Sequence, residues 1–294
     1  MLNKIRLKAR FRNNPLVWRF NTRHARKLFI RQRKDDPMAS IDTWRFKNNY
    51  TKDILKNGIT TTQFKDFFWH DPDWYNELKE YMQGIETKYE NPMKPFLIEY
   101  WPRDYILDFN NPFTHLALHP KVLDIVSEYL GCWPRLFDMR LWETKVNKGE
   151  KKIYSQSWHR DPEDKQLLNL FLYLSDVDEG SGPFNYIPES HIFGKYRDAF
   201  PQVLPPQGSY PGDEAVQMTL GKQMKVYTGS EGTIILADTA GLHKGGFSTT
   251  KPRIMFKALF VSTGAFKGDH IRYSLPKELP DLTEQQRFAI GLND

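Results

Sequence analysis

The sequence predicts an α+β domain, with helices in its first half and a β sandwich or jelly roll in its second. Two patterns carry this. From residue 136 to 262, runs rich in β-branched and aromatic residues alternate with Gly, Pro and Asp at the spacing of short strands. Before residue 131, apolar residues recur at helical spacing and are bounded by capping signals. At 294 residues, with 39% hydrophobic and 14% aromatic content, a single domain has enough apolar surface to fold without staples. The one cysteine, Cys132, excludes an intramolecular disulfide and a Cys-based zinc site. No run of 18 apolar residues and no apolar leader stretch occurs, so neither a membrane-spanning helix nor a secretory signal is expected. The expected location is a reducing compartment, the cytoplasm.

In chain order, residues 1–36 form a basic arm and 37–294 a single domain. Residues 1–34 hold 12 Lys/Arg and no acid, whereas the remainder holds 30 basic and 36 acidic residues. Asn14-Pro15 reads as an N-cap and first helical position. Val17, Phe20, Ala25 and Leu28 then share one helical face, ringed by arginines. Residues 4–12 alternate charged and apolar, as an extended arm would. The arm either packs on the domain with its charges solvated or meets an anionic surface, of which a phospholipid membrane is the first candidate. Nucleic acid is disfavoured, because no RNP, zinc or helix-turn-helix signature accompanies the basic residues.

Lys34-Asp35-Asp36-Pro37 reads as a linker and residues 58–62 as a strand. A helix is expected from Pro72 to Gln83, opened by Asp71 and ended by Gly84. A second runs from Thr114 to Leu130, with Leu118, Val122, Ile125, Val126 and Tyr129 inward and Gly131 as its stop. Strands follow at 136–146, 153–161, 167–175, 183–188, 224–228, 232–237 and 253–262. The Pro- and Gly-rich stretch 189–222 is too long for a connector and reads as a lid or insert. A short helix spans Thr283 to Ile290.

Of eight histidines, His115 and His119 are four apart but lack the acidic residue of an H-E-x-x-H site. His159 differs, standing in Trp158-His159-Arg160-Asp161. In a strand, His159 and Asp161 point to one face, and His243 can join them from a later strand. Two imidazoles and one carboxylate form a facial triad with open positions, which suits Fe(II) and O₂ chemistry. Arg253 follows His243 by ten residues, on a strand expected to run beside it. Its guanidinium can grip the far carboxylate of a dicarboxylate keto acid whose other end chelates the metal.

The segments Trp158-His159-Arg160-Asp161, 169–177 (NLFLYLSDV), 179–191 (EGSGPFNYIPESH) and His243-Lys244-Gly245-Gly246 through Arg253 resemble the phytanoyl-CoA dioxygenase family of Fe(II)/2-oxoglutarate-dependent oxygenases. The resemblance covers roughly residues 55–262 and not the arm. It implies a double-stranded β-helix, iron held by His159, Asp161 and His243, and 2-oxoglutarate held by Arg253. It gives His191 a structural role. The family usually has Gly where this chain has Glu189. Related halogenases replace the carboxylate ligand with a small residue; Asp161 is present, so hydroxylation of a small-molecule, lipid-like or sugar-like substrate is expected, with release of succinate and CO₂. Gln156, Trp158, Asn169 and Tyr173 are candidate pocket residues. Other outcomes of the same oxidant remain open, namely desaturation, epimerisation or cyclisation. So does a cupin-like binding protein that docks through its arm.

Overall fold

The computed structural model describes residues 14–34, 48–71, 73–147, 154–203, 209–265 and 272–292. The expected extended stretch at 4–12 and nearly all of the linker at 34–37 lie outside these. The described residues begin with α1 (Pro15–Asn21) and α2 (Arg23–Lys34), parted at Thr22. Asn14 caps α1 as expected, accepting from the Leu16 amide. The single apolar face does not survive the break: Ala25 and Leu28 are buried, whereas Phe20 is exposed. This half of the arm lies on the domain. Trp18 Nε1 reaches Asp164 at 3.3 Å, Arg31 pairs with Glu284, and Arg33 with Glu128.

Next come α3 (Asn49–Asn57), β1 (Ile59–Gln63), α4 (Phe64–Phe67) and α5 (Trp74–Gln83). The last starts two residues later than expected, with Asp73 at its N-cap. Three short strands follow, β2 (Tyr89–Glu90), β3 (Leu97–Glu99) and β4 (Tyr105–Ile106). The single helix expected from Thr114 to Leu130 is two, α6 (Pro112–Ala117) and α7 (Pro120–Leu130). Pro120 cannot donate an amide, so it starts a new helix, and His119 becomes the N-cap. His115 and His119 therefore sit on different elements. The five residues expected inward are all buried, and Gly131 closes α7 at φ +67°, as its stop position requires.

The β region comprises β5 (Arg135–Thr144), β6 (Leu168–Tyr173), β7 (Phe184–Tyr186), then α8 (Asp213–Leu220) within the 189–222 insert, β8 (Lys225–Tyr227), β9 (Thr233–Ala237), β10 (His243–Gly245), β11 (Arg253–Val261) and β12 (Tyr273–Ser274). Helix α9 (Glu284–Ala289) ends it, with Thr283 and Gln286 forming a capping box. Seven strands form one antiparallel sheet in the order β1-β9-β6-β11-β5-β3-β2, and a second sheet has the order β10-β7-β8. The jelly-roll expectation holds.

Period-two patterning builds the layers. Leu168, Leu170, Leu172, Ile234, Leu236, Phe256, Ala258 and Phe260 pack on the helices. Their neighbours Phe171, Tyr173, Ile235, Ala237 and Met255 face the small sheet and meet Phe184 and Tyr186. Both faces of the large sheet are thus buried, which is why its central strands read as nearly continuous apolar runs.

Helix α7 is tied to the end of β9 by a buried contact. The Tyr129 hydroxyl donates to the Asp238 carboxylate, the Ala240 amide donates to its other oxygen, and the Tyr186 hydroxyl donates to the Asp238 carbonyl. Burial outweighs these bonds and raises Asp238 to about 7. A carboxyl whose folded pKa lies above its unfolded value contributes stability below about pH 4, and that contribution is lost as pH rises toward 7. Asp238→Asn should remove this dependence. The unfolding free-energy difference between variant and wild type, from urea titrations at pH 5 and pH 7, should move in favour of the variant by about 1 kcal/mol per pH unit. A difference independent of pH would contradict the burial argument.

Candidate metal centre

The sequence expectation of a strand over 153–161 is not met. Tyr154–Gln156 form a 3₁₀ turn, and only His159 and Arg160 make bridge contacts. The geometry expected of a strand is nevertheless reached. His159 and His243 exchange both backbone hydrogen bonds, at 2.9 and 3.0 Å, and the Asp161 amide donates to the Thr239 carbonyl at 2.8 Å. These bonds lay 157–161 antiparallel to 239–243 and turn three side chains to one point. The Nε2 atoms of His159 and His243 lie 3.7 and 3.8 Å from Asp161 Oδ1. One ligand atom from each residue falls within 4.8 Å of the other two, so the three could hold one metal ion.

Each side chain is oriented from behind. His159 Nδ1 lies 2.9 Å from the Ser157 carbonyl, and His243 Nδ1 lies 3.0 Å from that of Gly241. A carbonyl only accepts, so Nδ1 carries the proton in both rings and the Nε2 lone pair is left for a metal. Burial lowers both imidazole pKa values, and the mutual repulsion of the two rings lowers His159 further, so both are neutral at pH 7. Burial alone would raise Asp161; the two imidazoles, Lys257 and the Thr239 hydroxyl bring it below its ordinary value. Thr239 Oγ1 donates to Asp161 Oδ2 at 2.6 Å and accepts from Asn169 Nδ2 at 2.5 Å. This relay occupies Oδ2 and leaves Oδ1 for an ion.

Arg253 opens β11, in the large sheet, whereas β10 belongs to the small one. It therefore does not lie beside the strand carrying His243, as expected, but across the cavity from it. Arg253, His159, Asp161 and His243 all line that cavity. The Arg253 guanidinium is buried. It donates to the Gly182 carbonyl and reaches Thr144 Oγ1 at 3.5 Å, but its Nε has no partner. Among the described residues it forms no ion pair.

Of the other expected pocket residues, Gln156 lines the cavity. Trp158 does not. It packs against Ile187, Val216, Leu220 and Leu242, with Lys244 Nζ 4.9 Å from its ring centre. Asn169 and Tyr173 do face inward on β6 but stand behind the cavity wall: Asn169 supports Thr239, and Tyr173 bonds the Tyr227 carbonyl and the Phe184 amide. Phe171, between them, is the lining residue. His191 is structural, its Nε2 lying 3.0 Å from the Leu55 carbonyl. Glu189 adopts φ +62°, which explains a preference for glycine there, and its side chain pairs with Lys195 at 2.8 Å. Tyr210, from the 189–222 insert, stacks on His159 with rings 5.7 Å apart and 13° from parallel.

Sequence reasoning missed Thr239, Trp142, Lys94, Lys257 and Arg272. Strand parity could have found Lys257, which shares its face of β11 with Arg253. The other four reach the site through turns and pairings that have no local signature.

No protein-family model and no curated protein matches the chain. Solved structures do. EctD from S. alaskensis with 2-oxoglutarate and 5-hydroxyectoine is similar at a TM-score of 0.53 and 18% identity, over 78% of this chain and 81% of that one. HygX from Streptomyces hygroscopicus with nickel, 2-oxoglutarate and hygromycin B is similar at 0.51 and 13%, over 74% and 88%. The epimerase SnoN in complex with Fe3+, alpha ketoglutarate and nogalamycin RO is similar at 0.50 and 16%, over 72% and 82%. At such identities the likeness is one of fold.

The relay behind Asp161 can be tested with Co(II), whose visible spectrum reports binding. Thr239→Val should weaken Co(II) binding by about tenfold or more, Thr239→Ser should leave it nearly unchanged, and both should keep the wild-type melting transition. Equal affinities in all three would remove the relay from the site.

Proposed function

We propose that this chain is an Fe(II)- and 2-oxoglutarate-dependent dioxygenase resembling the phytanoyl-CoA dioxygenase group, and that it hydroxylates a C–H bond of a small-molecule substrate. The observation that carries this reading is one cavity with two unsatisfied poles. On one wall, two neutral imidazoles and an ionised carboxylate aim free lone pairs at a common point. On the other, the Arg253 guanidinium is buried without a carboxylate partner among the described residues, its Nε unbonded. An uncompensated buried cation is costly, and an Asp or Glu would be expected there if the role were structural. The terminal carboxylate of 2-oxoglutarate fits that vacancy, and the donor set suits Fe(II) with open positions.

In this reading His159, Asp161 and His243 would hold iron, and Arg253, with Thr144 beside it, would hold the far carboxylate of 2-oxoglutarate. Iron and 2-oxoglutarate with O₂ supply the oxidant, and succinate and CO₂ are released. The chain's own residues orient and exclude. The Ser157 and Gly241 carbonyls fix the two imidazole tautomers. Thr239 and Asn169 hold the carboxylate in one rotamer. Phe171 and Phe184 form a dry wall, and Tyr210 covers the outer face of His159. The enzymes of similar fold include an epimerase; the presence of Asp161 in the carboxylate position supports hydroxylation over halogenation and does not separate it from epimerisation.

Anaerobic addition of Fe(II) and 2-oxoglutarate should give a weak visible charge-transfer band that is lost in His243→Ala. Arg253→Ala should raise the KM for 2-oxoglutarate by roughly tenfold or more with a smaller effect on kcat, because its contact is made equally in ground and transition states. A protein that forms no band, or an Arg253→Ala variant with unchanged KM, would overturn the assignment.

A further inference from the structure

The cavity has a second cationic end. Arg253, Met255 and Lys257 alternate along the inward face of β11 and all line it. At the rise of an extended strand, Lys257 stands roughly 13 Å from Arg253. It is paired in register with Arg140 of β5, and Arg272 closes the same end. Lys94 faces the cavity from the loop before β3. Against these stand two lining carboxylates besides Asp161, namely Glu99 and Asp138.

The acids are already committed. Asp138 Oδ1 takes the Arg140 Nε bond at 3.0 Å, and Arg140 also bonds the Pro102 and Arg103 carbonyls. Glu99 takes the Asn91 amide at 2.6 Å and lies 3.7 Å from Arg140. Arg140 is thus a structural cation, and the others are not. Lys257 stands 3.8 Å from Asp138, and Arg272 stands 3.6 Å from Asp138 and 3.7 Å from Glu163. Those separations exceed the 2.7–2.9 Å of a charge-assisted hydrogen bond. Among the described residues, neither side chain makes a hydrogen bond, although Lys257 offers three N–H donors and Arg272 five. Lys94 spends one donor, on Ser155 Oγ at 3.1 Å, and forms no ion pair among the described residues. Burial, then the nearby Lys257, lowers the Lys94 ammonium to about 8, as expected of a cation crowded by like charge.

We infer that this end of the cavity binds an oxyanion of the substrate, a carboxylate or a phosphoryl group, through the unspent donors of Lys257 and Arg272, with Lys94 between it and the iron ligands. The inference rests on the proposed function, which assigns the Arg253 end to 2-oxoglutarate and so leaves this end to the substrate. Such an anchor would hold a charged substrate in the cavity that Trp142, Phe171 and Met255 also line. Neutral lipids and neutral glycosides are thereby disfavoured.

The test needs neither iron nor 2-oxoglutarate. The full-length protein is titrated with inorganic phosphate and, separately, with acetate by calorimetry at low ionic strength. Saturable binding is expected for at least one ion. Measured in an Arg253→Met background, which removes the other anion pole, it should weaken about tenfold when Lys257→Met or Arg272→Met is added, and be unchanged when the exposed Lys65 of α4 is changed to Met. Arg272 is partly exposed, so its variant remains informative should Lys257→Met fold poorly. Tighter phosphate than acetate assigns a phosphoryl group, and the reverse a carboxylate. The inference is overturned by an absence of saturable binding in the Arg253→Met background, or by binding there that ignores both added variants. Because the charge-transfer experiment reads the iron and 2-oxoglutarate end and this titration the other, failure of the anion site is told apart from failure of the proposed function.

Discussion

The site depends on a single two-residue ladder. His159 and His243 lie 84 positions apart and belong to no long strand pairing, yet they exchange both backbone hydrogen bonds. That exchange fixes the distance between the segments carrying them and places both imidazoles on one side. The third bond, from the Asp161 amide to the Thr239 carbonyl, lies two residues beyond the in-register partner Gly241, where the chain turns from Asp238 to Gly241, and holds Asp161 against that turn. Register here has chemical consequences. A slip of one residue would turn His159 and Asp161 to the opposite face and bring Trp158 and Arg160 to the cavity. The structure pins the register from outside as well. Trp158 sits in its own apolar cluster, and Arg160 donates to the carbonyls of Ser190, Ala199, Phe200 and Ala240. The two residues flanking His159 are thus anchors, and Trp158-His159-Arg160-Asp161 alternates between residues anchored outside and residues that line the cavity.

The large sheet carries the same logic at greater scale. Its helix-facing positions are almost purely aliphatic and aromatic. Its inward positions are apolar or neutral on β6 and β9, whereas β11, β5 and β3 also present Arg253, Lys257, Asp138, Arg140 and Glu99 to the cavity. Charged residues are tolerated on that face because the small sheet has only three short strands and cannot cover it. The mismatch in sheet size creates the cavity, and burial of one side of each cation makes its unused donors matter. In a fully solvated groove the same cations would be screened and worth little.

Much of this was legible in the sequence, for reasons that differ by element. The strands were readable because β-branched and aromatic runs are bounded by turn residues, and the helix at 284–289 because Thr283 and Gln286 form a capping box. The convergence of His159 and Asp161 was readable because the spacing His-x-Asp survives whether the segment is a strand or an isolated bridge. The Thr114–Leu130 helix was misjudged at Pro120, where periodicity outweighed a local breaker. Arg253 was placed in the correct cavity by the wrong route. Ten residues beyond His243 suggested an adjacent strand, whereas the turn through Gly245-Gly246 carries the chain to the other sheet. Trp158 was expected in the pocket because it adjoins His159, although adjacency in an extended segment means opposite faces. Thr239 was invisible, since its role is set by a hydrogen bond to Asp161 across 78 residues of sequence.

Charge accounting connects the fold to its chemistry. Where this molecule buries a charge for structural ends, it compensates it locally: Arg140 has Asp138 and Glu99, Arg160 has backbone carbonyls, and Asp164 collects bonds from Ser262 and the Lys165 amide. Of the residues that line the cavity, Arg140 follows this pattern and others depart from it. Two neutral imidazoles keep their lone pairs, Arg253 keeps a bare Nε, and Lys257 and Arg272 keep their donors. A cavity wall that carries a bare buried guanidinium nitrogen and cations with unused donors is suited to ligands that bring negative charge. On that argument the cavity is complementary to one cation at the triad and to anions at both of its ends, and a neutral occupant would leave the imbalance in place.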